Sequence, residues 1–112
     1  MIDAHGIGEI MSVYTKHGWI LRRVLLSPAL KEKLGVSLSH LFDGVEVKDS
    51  NLDAAWFSRP QMQGGVPWEI RHLSETPYAL LENVDDASDD FEDILYAVET
   101  RLRETLLKSK SA

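Results

Sequence analysis

Each tryptophan in the chain is followed three residues later by an arginine, giving Trp19 and Arg22, Trp56 and Arg59, and Trp68 and Arg71. All three pairs fall in segments that read as strands, where residues three apart point to opposite faces of a sheet. The pattern therefore predicts aromatics on a core face and guanidinium groups on the opposite one, with Ile20, Val24 and Phe57 between the arginines. Guanidinium mixed with apolar area suits a protein partner, because arginine and aromatics are enriched at interface centres. The same arginines could instead grip a carboxylate or phosphate, together with His72 and the loop Gln61 to Val66. Candidate binding residues are thus Arg22, Phe57, Arg59, Arg71 and His72. Asp53 and Glu69 could neutralise the arginines in place, which counts against the anion pocket; the plainest reading has the tryptophans anchoring the core and the arginines on a solvated face.

Catalytic and metal chemistry find less support. The histidines His5, His17, His40 and His72 have no metal-site spacing. His5 with Glu9, or His40 with Asp43, offers two ligands where zinc needs three or four. Ser27 lies between a strand and a helix without the Gly-x-Ser-x-Gly frame of a nucleophile elbow. Gly64-Gly65 lacks the Lys-Ser/Thr of a phosphate loop, and Gly6-x-Gly8 has neither a strand before it nor a third glycine. No cofactor is expected.

The absence of cysteine excludes disulfides, thiolate metal sites and thiol nucleophiles. A net charge of −6 opposes long-range attraction to nucleic acid or anionic membranes, and no window of the sequence is apolar enough to span a bilayer. Tryptophan and arginine alternating on a sheet can grip single strands, but here they fall on opposite faces. At 112 residues with 44% apolar content, residues 1–112 are expected to form one globular domain in the cytoplasm.

The elements that must position these residues follow from periodicity and punctuation. Ile7, Ile10, Met11 and Tyr14 recur at helical spacing, with Gly18 as a C-terminal cap. Residues 19–26 are apolar and β-branched, a strand stopped by Ser27-Pro28. Ser27 caps a short helix, Pro28 to Leu34, closed by Gly35. Residues 37–42 are ambiguous. Val45 to Lys48 and Leu52 to Ser58 read as a hairpin around Asp49-Ser50-Asn51, and Val66 to Leu73 and Tyr78 to Val84 as a second hairpin. Phe91, Ile94, Leu95, Val98, Leu102 and Leu106 form one stripe of a long C-terminal helix, with Ser88 as its N-cap.

The expected fold is an α+β two-layer sandwich: an antiparallel sheet of four to five strands, mostly a meander, with the N-terminal and C-terminal helices on one face. Residues 20, 24 and 26 would then leave apolar area on the other face, to be covered by segment 28–42 or by a second subunit. The functional expectation is a non-catalytic protein-interaction module, homodimeric through a sheet face. The alternative is an anionic-ligand binder or small enzyme with its site near the 60–67 loop.

Overall fold

The computed structural model describes residues 1–60, 66–85 and 87–111. It contains α1 (Ala4–Lys16), β1 (Ile20–Leu26), α2 (Pro28–Leu34), α3 (Ser37–Leu41), β2 (Glu46–Asp49), β3 (Ala54–Ser58), β4 (Val66–His72), β5 (Ala79–Val84) and α4 (Phe91–Ser111). The Gly18 and Ser27-Pro28 signals act where the sequence places them. Asp3 caps α1 by accepting the Gly6 N–H at 2.8 Å. Gly18, at φ +85°, turns the chain so that the Trp19 N–H reaches the Tyr14 carbonyl at 3.0 Å, a geometry that favours glycine. The Ser27 hydroxyl accepts the Leu30 N–H at 3.3 Å, and Pro28 occupies the first turn of α2. Before α4, the Ser88 hydroxyl bonds Asp90 and not a helical N–H, while the Ser88 carbonyl accepts the Phe91 N–H at 3.2 Å.

The five strands lie in the order β2-β1-β3-β4-β5. Strands β3, β4 and β5 form the expected antiparallel meander. The expected hairpin between β2 and β3 does not form, because β1 lies between them, parallel to β2 and antiparallel to β3. A parallel pair needs a long crossover, and α2 and α3 supply it. Strand β1 is apolar on both faces, so burial favours a central position over an edge. Ser50 marks the crossing with an N–H donated to the Leu26 carbonyl at 3.0 Å.

Helices cover both faces of the sheet, so the two-layer arrangement with both long helices on one side is corrected to helical layers on opposite sides. Strand β3 decides this, since its residues alternate and all five are buried. Ala55 and Phe57 join Ile7, Val24, Leu26, Leu30, Leu34 and Phe42 in a core beneath α1, α2 and α3. Ala54 and Trp56 join Trp68, Ile70, Val84, Leu95, Val98 and Leu102 in a second core beneath α4. Val24 and Leu26 of β1 are thus covered by segment 28–42 together with α1, while Ile20, before the bulge, stays 43% exposed. In the α4 core the Trp56 Nε1–H donates to the buried Glu99 carboxylate at 2.8 Å, satisfying a polar group that burial would otherwise penalise.

Candidate functional site

The helical layer above β1 and β3 does not extend over the α1 side of β4 and β5. By the pleat, Glu69 and Arg71 of β4 and Ala79, Leu81 and Asn83 of β5 point to that side, while Trp68, Ile70, Leu80 and Glu82 point toward α4. A groove of about 540 Å³ lies there between α1 and the β4–β5 turn. Ile2, Ile10, Val13 and Pro77 give it apolar walls, and Tyr14 and Arg71 lie at its base with Asp3, Glu9 and Glu75 among its lining. A smaller hollow of about 220 Å³ shares Val13 and Tyr14 with it and reaches His17 and Trp19. Leu81 and Val13 are more than half exposed on this side, at 59% and 55%.

Tyr14 and Arg71 of the groove are engaged within the chain. The Tyr14 hydroxyl donates to Glu69, and its ring stacks on Phe57 at 4.0 Å between centroids. Burial, then the bond to Glu69, hold the Tyr14 pKa well above the usual phenol range. The Arg71 guanidinium donates to the backbone carbonyls of His72, of Thr76 at 3.3 Å and of Ser74 at 3.5 Å, fixing the β4–β5 turn. Burial lowers the Arg71 pKa, while Tyr14 and Glu69 oppose the shift. Such a groove has an apolar wall beside a tyrosine and an arginine held by the chain itself, and its lining among the described residues shows no convergent set of donors aimed at one small ligand.

The five residues singled out from the sequence do not share one surface. Arg59 and Arg71 lie on the α1 side, at opposite ends of the groove region. The Arg59 guanidinium sits 5.7 Å from the Trp19 ring centroid, a cation–π contact. Phe57, expected on an exposed face, is 1% exposed and buried against Tyr14. Arg22 is displaced by a bulge in β1 between Leu21 and Arg23, which turns two consecutive arginines toward α4. There Arg22 donates to the Ser58 hydroxyl at 2.7 Å, and Arg23 bridges Glu46 at 3.1 Å and Glu92 at 2.6 Å. His72 also faces the α4 side, in a cavity of about 300 Å³ with Asn51, Asp53 and Arg103. The tryptophans divide likewise, Trp56 and Trp68 under α4 and Trp19 beside α1.

Asp53, considered as a neutraliser of arginine, instead accepts the Ser27 N–H at 2.7 Å and its hydroxyl at 3.1 Å. The loop Gln61 to Gly65 lies outside the described residues. Among the described residues no group of three or more His, Asp or Glu side chains could hold a metal ion, and no helix is long and apolar enough to cross a membrane. Two residues central to the open face, Val13 and Leu81, carry a signal in the sequence. Val13 adds an apolar residue outside the Ile7–Ile10–Met11–Tyr14 stripe. The tandem Leu80-Leu81 must send one leucine to each face of an alternating strand.

Comparison with protein-family models, with curated proteins and with solved structures returns no match.

Proposed function

We propose that this chain is a small cytosolic, non-catalytic protein-interaction module that associates with itself through the open α1 side of β4 and β5. The observation that carries the reading is the composition of that face. Exposed Val13 and Leu81 and the apolar groove wall stand beside Tyr14 and Arg71, which already donate hydrogen bonds inside the chain. A partner can bury the apolar area without having to replace those bonds. A second copy is the simplest partner, because a two-fold axis lets one patch meet itself. Without cysteine the fold has no disulfides to lose in a reducing compartment.

Native mass spectrometry of the purified chain tests this reading. A ligand-free dimer is the expected result. A monomer carrying a discrete extra mass would overturn it in favour of an anionic-ligand binder or enzyme built around the groove.

A further inference from the structure

We infer that two copies of this chain join edge to edge through β5, so that their sheets continue as one. The inference rests on the reading of the open face as a self-association surface and adds the contact and its register.

The two edges of the sheet differ in how they resist pairing. Strand β2 is four residues long and three of them are charged: Glu46, Lys48 and Asp49. Glu46 is held by Arg23 and Asp49 by Lys31 at 2.5 Å. Short, charged strands are a common way to blunt an edge. Strand β5, Ala-Leu-Leu-Glu-Asn-Val, has no proline and no basic residue. It pairs with β4 one to one from Val66 and Val84 to Arg71 and Ala79, with no bulge to twist it away.

The hydrogen-bond phase of β5 follows from one contact. The His72 N–H donates to the Tyr78 carbonyl at 2.9 Å, so these residues form a hydrogen-bonded pair. Antiparallel ladders alternate hydrogen-bonded and non-hydrogen-bonded pairs. Leu80, Glu82 and Val84 therefore direct their backbone groups to β4, and Ala79, Leu81 and Asn83 direct theirs outward. Among the described residues no strand pairs with that outer edge.

Three outward residues centred on Leu81 make the edge self-complementary. A two-fold axis at Leu81 sets it against Leu81 of the second copy and each Ala79 against Asn83, so that all three residues are paired. Within the strand, any other register leaves at least one of the three without a partner. On the α1 side this register brings together two leucines that are 59% exposed in the single chain, a favourable cross-strand pair. On the α4 side Leu80 faces Glu82 of the other copy, and Glu82 is held at 3.2 Å by Arg101 of its own chain. No like charges stand directly opposite. The two open faces then merge into one cleft, floored by four strands and flanked by both copies of α1.

Sedimentation velocity of the full chain, with variants, tests the register. The expected result is a dimer for the unmodified chain, loss of that dimer in Leu81→Lys, and a retained dimer in Val36→Lys, whose site is 90% exposed and away from β5. The chain has no cysteine, so Leu81→Cys supplies a single thiol. In the inferred register its Cα lies about 5.5 Å from its copy, within disulfide reach. Mild oxidation is expected to give a covalent dimer with Leu81→Cys and not with Val36→Cys. A monomeric unmodified chain overturns both the edge pairing and the proposed self-association. A dimer that withstands Leu81→Lys and gives no Leu81→Cys cross-link overturns the edge pairing and leaves self-association standing.

Discussion

Phe57 and Tyr14 join the sheet to α1, and their contact governs what the open face can offer. Phe57 is 1% exposed and stacked on Tyr14, so Phe57→Ala is expected to cost about 3–5 kcal/mol in a urea unfolding curve, as large aromatic deletions in cores do. A cost under about 1 kcal/mol, the range of surface changes, would mean that the ring is not packed as described. Tyr14 makes a prediction about pH. Its folded pKa is raised above the unfolded value near 10 by burial and by Glu69. Its contribution to stability is therefore complete below about pH 10 and is lost as pH rises through the folded value, since the unfolded state releases the proton first. Tyr14→Phe should flatten the alkaline fall in unfolding midpoint. An unchanged alkaline slope would contradict the assigned environment.

Among the elements, the β1 bulge has the widest consequences, because it breaks the strict alternation from which a single arginine face was expected. Arg23, with its side chain 15% exposed, ties β2 to the first turn of α4 through Glu46 and Glu92. The bond to Arg23 lowers the Glu92 pKa, so this contact stabilises the fold above the ordinary carboxylate range and fades as pH falls through the lowered value. In Arg23→Met the acid-side loss of thermal midpoint should be smaller, and amide exchange in β2 should be faster. Equal acid sensitivity in both proteins would argue against the bridge. Much at this scale was legible in the sequence: the Gly18 stop, the Ser27-Pro28 start, the β4–β5 hairpin and the α4 stripe each rest on local chemistry. Strand order was not, because Val45 to Ser58 fits a hairpin locally. It is the apolar character of β1 on both faces that draws β2 to its far side. Helix placement was hidden for a related reason: each long helix has one apolar stripe, and nothing local to a stripe says which sheet face it covers. The candidate residues were misgrouped through the bulge and through β3, whose burial on both faces takes Phe57 out of reach of solvent.

For the whole molecule, the sheet has one charged, bridged edge at β2 and one apolar, unblunted edge at β5, with an uncovered floor beside α1. In the inferred edge pairing, this chain of net charge −6 would set no like charges directly across the contact, Glu82 being held by Arg101 of its own chain. The most direct measurement is amide hydrogen exchange, residue by residue, over a range of protein concentration. Slower exchange at Ala79, Leu81 and Asn83 as concentration rises, with β2 unchanged, is the predicted result. Exchange at these three residues that does not depend on concentration, or protection that appears on another surface instead, would contradict it.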